Sequence, residues 1–88
     1  MIRRRLIFYG AVQGVGFRYR ARHAAALWGC TGWCRNEWDG SVTMEIQGKE
    51  EALERVLRAL EEGRFIRIER MDVLDLPPDP DERDFRTD

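Results

Sequence analysis

No stretch of this 88-residue chain approaches the ~20 consecutive apolar residues that a membrane span requires. Arg3-Arg4-Arg5 followed by the apolar residues 6–12 has the outline of a secretory leader. That run is at the minimum length, holds Tyr9 and Gly10, and is followed by no convincing small-x-small cleavage site. Cysteine is scarce, with Cys30 and Cys34 alone. In an extended chain they would stand about 13 Å apart, whereas a disulfide needs Cα atoms within about 7 Å. They are therefore read as free thiols serving as small apolar residues in a reducing, cytoplasmic compartment. With His23, the one histidine, they make too few soft ligands at no familiar zinc spacing, so no metal is expected. No Ser, Cys or acid is spaced to form a relay with His23, which reads as a helix-surface or packing residue. Acid is missing from the first part altogether. No Asp or Glu precedes Glu37, while seven arginines do, and all 16 acids lie in the remainder. The net charge of −1 hides this asymmetry. It is either a positive field suited to an anionic ligand or a merely solvated imbalance.

At 43% hydrophobic and 35% charged, the composition is that of one globular domain, residues 1–88, with a modest core. Residues 3–12 alternate as a strand, Leu6 and Phe8 against Ile7 and Tyr9. A turn at 13–16 leads into a helix over 17–28, with Ala21, Ala24, Ala25 and Trp28 on one face and Gly29 at its end. A second strand, 32–37, turns at Trp38-Asp39-Gly40 into a third, 41–47, with Val42, Met44 and Ile46 on one face. Trp33 and Trp38 are expected to cover apolar surface. The second helix, 50–62, has Ala52, Leu53, Val56, Leu57 and Leu60 as its buried stripe. Glu51–Arg55 and Glu54–Arg58 are spaced as i,i+4 pairs on its wet side. A fourth strand, 65–74, alternates imperfectly. Pro77-Pro78-Asp79-Pro80 breaks regular structure, and Phe85 would anchor a short edge strand. Two helices with one apolar stripe each must cover the same surface. The order predicts an α+β, ferredoxin-like βαββαβ sandwich, an antiparallel sheet with two helices on one face.

The chemistry lies in Gly10-Ala11-Val12-Gln13-Gly14-Val15-Gly16-Phe17-Arg18. Glycines let backbone N–H groups approach a ligand, a helix N-terminus offers unpaired donors, and a guanidinium matches phosphate. The string is no Walker loop, since no Gly-Lys-Ser/Thr follows, and no dinucleotide fingerprint, since a third spaced glycine is missing. A second stretch, Gly32-Trp33-Cys34-Arg35-Asn36-Glu37-Trp38-Asp39-Gly40, puts Asn36 near the end of the second strand. In this fold the two stretches can converge on one cradle.

Together these residues resemble the acylphosphatase family, through Gly10-x-Val12-Gln13-Gly14-Val15-Gly16-Phe17-Arg18 and Gly32-Trp33-x-x-Asn36-x-x-Asp39-Gly40-x-Val42. Gly48 and the Glu50-Glu51-Ala52-Leu53 helix start extend the likeness over nearly the whole chain. The resemblance implies a ferredoxin-like fold and metal-independent hydrolysis of acyl phosphates to a carboxylate and inorganic phosphate, with no cofactor. It also implies that Arg18 holds the phosphoryl group and Asn36 positions the attacking water. Main-chain donors of Gln13, Gly14, Val15, Gly16, Phe17 and Arg18 would bind the phosphoryl oxygens. Partners would be a small-molecule acyl phosphate and inorganic phosphate, as product and inhibitor, with no nucleic acid or membrane and a monomeric state. The chain departs from the family in Cys34, in a short connection at Gly63-Arg64 and in a tail ending Phe85-Arg86-Thr87. These touch the last edge strand rather than the cradle. Two rival readings stand beside this one: an RNA-binding sheet presenting Tyr9, and an accessory domain normally fused to a larger enzyme.

Overall fold

Strand β1, Ile2–Ala11, is the strand that every other part of the fold is built around, and a computed structural model describes all residues 1–88. Its alternation is realised: Leu6 and Phe8 are buried while Ile7 and Tyr9 are half-buried on the other face. After it come α1 (Phe17–Leu27), β2 (Thr31–Asn36), β3 (Val42–Gly48), α2 (Glu50–Glu61), β4 (Arg67–Leu76) and β5 (Phe85–Thr87). The sheet order is β4-β1-β3-β2-β5. β1 pairs antiparallel with β3 (Leu6 opposite Met44) and with β4, and β2 pairs antiparallel with β3. The expected sheet is antiparallel throughout, and the first four strands are. β5 departs from that, because it pairs parallel to β2, Gly32 opposite Phe85, and makes the sheet mixed. The reason is topological. β4 ends at Leu76, level with the start of β2, so the segment that crosses to the far edge at that end enters β5 in the direction of β2.

Both helices pack on one face. Phe8, Met44, Ile46, Val42 and Cys34 from the strands meet Phe17, Ala21 and Ala25 of α1 and Leu53, Val56 and Leu60 of α2 in one buried cluster. Small alanines on α1 let that helix lie close to the sheet, and the rings of Phe8 and Phe17 meet at 4.9 Å. This contact fixes the start of α1 against β1.

Some expectations fail at the margins. Trp28 lies outside the buried face of α1, because the helix ends at Leu27 and the chain turns away. Arg55 covers its ring at 4.6 Å, so the Glu51–Arg55 pair does not form. Trp38, at the tip of the β2–β3 turn, is 98% exposed and covers nothing. Leu57 is only partly buried. β4 begins at Arg67 rather than at Phe65, and as an edge strand it is exposed along most of its length, which explains its weak alternation.

The crossing segment is clasped to the sheet. The Gln47 side-chain amide donates to the Asp79 carbonyl at 2.7 Å and accepts from the Asp79 N–H at 2.8 Å. Arg3, 6% exposed, donates to Gln47, Glu45 and Glu82. A charge this buried needs such partners.

Candidate active site

The turn between β1 and α1 is held at both ends by buried side chains, Val12 and Phe17. Gly10 marks an irregularity in the β1–β4 pairing, and any Cβ there would run into the Arg67 carbonyl. Gly14 and Gly16 take φ of 71° and 80°, a left-handed backbone that a side chain makes costly. Gly16 caps α1 with no side-chain hydrogen bond, and the first turn of α1 contains no acid. The opening N–H groups of α1 therefore face outward unpaired, at the positive end of the helix dipole. The contrast with α2 is direct, since Glu50 and Glu51 occupy its first turn.

Gln13 links the turn to the neighbouring hairpin. Its Nε2 donates to the carbonyls of Glu37 and Ser41, at 2.6 and 2.9 Å. The two stretches singled out in the sequence thus meet. Gly14, Gly16, Phe17, Arg18 and Asn36 line one cavity of about 210 Å³, together with Val12 and Tyr19. Gln13 and Val15 do not line it: the first is a brace, and the second faces a neighbouring groove. Asn36 is the last residue of β2, opposite Val42.

Arg18 is oriented from the far end of the chain. Its Nη1 donates to the Asp88 carbonyl oxygen at 2.8 Å, and the Asp88 N–H donates to the Cys34 carbonyl at 2.9 Å. Residues 85–88 therefore bear on the cradle, although the sequence reading confined them to the edge strand. Nε and Nη2 of Arg18 make no hydrogen bond, and the residue lines the cavity. Burial pushes the Cys34 thiol up to about 12, with the Arg18 charge pulling it down and Asp88 pushing it further up. It is an uncharged core side chain.

The carboxylates near Asn36 are committed elsewhere. Glu37 accepts from the Thr43 hydroxyl at 2.7 Å and from Arg35, which hold it below the usual carboxylate range. Asp39 accepts from the Ser41 hydroxyl and N–H, at 2.6 and 3.0 Å, and is lowered likewise. Asp39 is thus a turn-former. No three His, Cys, Asp or Glu side chains are grouped to hold a metal ion. His23 lies on the exposed face of α1, stacked on Tyr19.

Fold and cavity together define a small α+β domain with one small cavity at the mouth of its first helix, lined by the glycine turn, Arg18 and Asn36. The acylphosphatase family model matches residues 4–87. The acylphosphatase of Geobacillus thermodenitrificans is 44% identical over 87 residues, covering 98% of this chain and 93% of that one. The crystal structure of the Bacillus subtilis acylphosphatase superposes with a TM-score of 0.89 at 32% identity, over 99% of this chain and 98% of that one. A full-length HypF structure, phosphate- and nucleotide-bound, is also similar, with a TM-score of 0.83 and 27% identity, but only 12% of that chain is covered. This chain belongs to the acylphosphatase family and is an enzyme that hydrolyses acyl phosphates. No helix is long and apolar enough to cross a membrane.

Proposed function

We propose that the backbone N–H groups of Gly14, Gly16, Phe17 and Arg18, with the Arg18 guanidinium, hold the phosphoryl group of an acyl phosphate, and that Asn36 holds the water that attacks it. The observation that carries this reading is the convergence of Arg18, Asn36 and the unpaired start of α1 on one small cavity. An acyl phosphate is a mixed anhydride with a good leaving group, so its cleavage needs positioning and charge stabilisation more than a strong base. Water adds to phosphorus, the bond from phosphorus to the acyl oxygen breaks, and its electron pair leaves on the carboxylate. The water's proton passes to a phosphoryl oxygen, which makes inorganic phosphate. The Asn36 amide can accept from and donate to that water but is no base near neutral pH. Glu37 and Asp39 are already engaged, which supports leaving the proton to the phosphate. N–H donors and a guanidinium meet the phosphoryl charge directly, so the reaction as drawn uses no metal or other cofactor.

The chain would act as one domain, a cytoplasmic monomer, with inorganic phosphate as product and competing ligand. Its match over 93% of a curated relative favours this over the accessory-domain reading. The RNA-binding reading loses its platform, because Arg70 covers the Tyr9 ring at 4.1 Å. Acetyl phosphate hydrolysis with and without EDTA tests the proposal, and activity should survive chelation. Arg18→Ala should lose at least about 100-fold in turnover and bind phosphate weakly. Asn36→Ala should lose about as much turnover while phosphate still inhibits. Full turnover in Asn36→Ala would remove it from the reaction.

A further inference from the structure

The reaction as drawn needs groups on two separate elements to stand at a fixed distance. The phosphoryl donors lie on the turn after β1, whereas Asn36 ends β2. Those strands never pair, because β3 runs between them. Phe8 stands opposite Val42, and Val42 opposite Asn36. At about 4.8 Å per strand, β1 and β2 are roughly 10 Å apart at this end of the sheet. Neither ladder continues past Val42, so regular pairing stops where the site begins. One side chain bridges what is left. The Gln13 bonds to the Glu37 and Ser41 carbonyls are the only hydrogen bonds joining residues 12–18 to the hairpin at 37–41. Both carbonyls have backbone partners already. The Glu37 N–H donates to the Ser41 carbonyl at 2.8 Å, and the Gly40 N–H to the Glu37 carbonyl at 3.2 Å. The hairpin thus closes without Gln13, whose amide commits both its hydrogens to tying that hairpin to the turn.

We infer that Gln13 is a positioning residue for the attack of water, setting the separation between the phosphoryl group and Asn36 while touching neither substrate nor water. Its role rests on the phosphoryl and water placement proposed above. Reacting atoms must approach to about 3–3.5 Å, and a misplacement of about 1 Å can cost about 100-fold. Position 13 tolerates little else. Two acceptors have to be met by two donors on a stem of two methylenes. Met has the reach but no donor, Asn is one methylene short, and ionised Glu sets oxygen against oxygen. The grip on phosphate is built separately, from the turn and from Arg18 held by Asp88. Losing the bridge therefore displaces the water and spares the grip.

Acetyl phosphate kinetics and phosphate inhibition test this in Gln13→Met, Asn36→Ala, their double variant and Gln13→Glu, with folding checked by circular dichroism. Gln13→Met should lower kcat by about 10- to 100-fold and leave phosphate inhibition unchanged. Added to Asn36→Ala it should cost little more, since it acts through a residue already removed. Gln13→Glu should be equally slow at pH 7 and recover relative to the wild type towards pH 5. A carboxyl pressed against two carbonyl oxygens takes up a proton above its ordinary value of about 4.3 and regains one donor. Wild-type kcat in Gln13→Met would overturn the assignment. So would a loss that multiplies with that of Asn36→Ala, or a parallel loss of phosphate inhibition. Should Gln13→Met fail to fold, the Glu variant decides alone, and a deficit constant from pH 7 to pH 5 would overturn the assignment. Full turnover in Asn36→Ala would instead remove the water placement on which it stands.

Discussion

Cys34 shows how a residue can stand at a reactive site without reacting. It is wholly buried, close enough to Arg18 to feel its charge, yet burial raises its thiol to about 12. Only the thiolate is nucleophilic. Cys30 is raised by burial as well. Iodoacetamide at pH 8 should therefore label neither cysteine in the native protein and both in guanidinium chloride, as read by mass spectrometry. Rapid labelling of native Cys34 would show that the core around it opens. At this scale the sequence was legible where a residue type admits one use. Arg18 and Asn36 reach the same cavity as expected. Gln13 was not legible, because an amide beside a glycine turn can serve a ligand or a neighbouring strand equally well. Two backbone carbonyls contributed by residues 24 and 28 positions away decide it. Tyr19 gave no signal, since an aromatic on a helix's wet face looks the same whether it lines a cavity or faces water.

Strand β5 is the element whose effect exceeds its length. Three residues are too few to display an alternation, so Phe85 could announce an edge strand but neither its direction nor its partner. Both follow from the clasp at Gln47 and Arg3, which steers the crossing segment to the far edge. Through Asp88 the strand then aims Arg18. Phe85→Ala removes a side chain only 8% exposed and should cost about 3 kcal/mol in urea unfolding. It should also raise KM for acyl phosphates as Arg18 loses its restraint, and Phe85→Leu should restore both. A stability loss with unchanged KM would separate the strand from the site. The helices and the first three strands were legible because each carries a full apolar face. β4 was not, because an edge strand buries too little to impose a pattern.

Across the whole molecule, the charge asymmetry of the sequence resolves into two populations. Arg3, Arg4, Arg5 and Arg35 are paired with Glu45, Glu82, Glu50, Asp75 and Glu37. The arginines of α1 are not, so the positive field survives at the helix that opens the cradle. Within the paired set Glu37 and Glu45 both lie below the usual carboxylate range, and Glu45 is the less exposed of the two. Its burial works to raise the pKa, but hydrogen bonds from Arg5 and Arg3 outweigh this and leave it lowered. As pH falls, the unfolded chain takes up the proton first, near the ordinary value of about 4.3. The contribution of Glu45 is therefore full above that range and lost as pH drops through the depressed folded value. Stability should hold from neutrality to about pH 5 and decline below it. Glu45→Gln should be destabilised at pH 7, and its deficit against the wild type should shrink by pH 3.5, as urea unfolding would show. In the proposed site the turn that would grip the anion is built largely from peptide groups, and that has a consequence beyond this chain. Such a receptor offers substitution few places to retune it, since every residue type but proline contributes the same amide and its left-handed positions suit little beside glycine. Divergence among enzymes sharing it is then confined to the terrain around it, where chemistry can change while the grip stays as inherited.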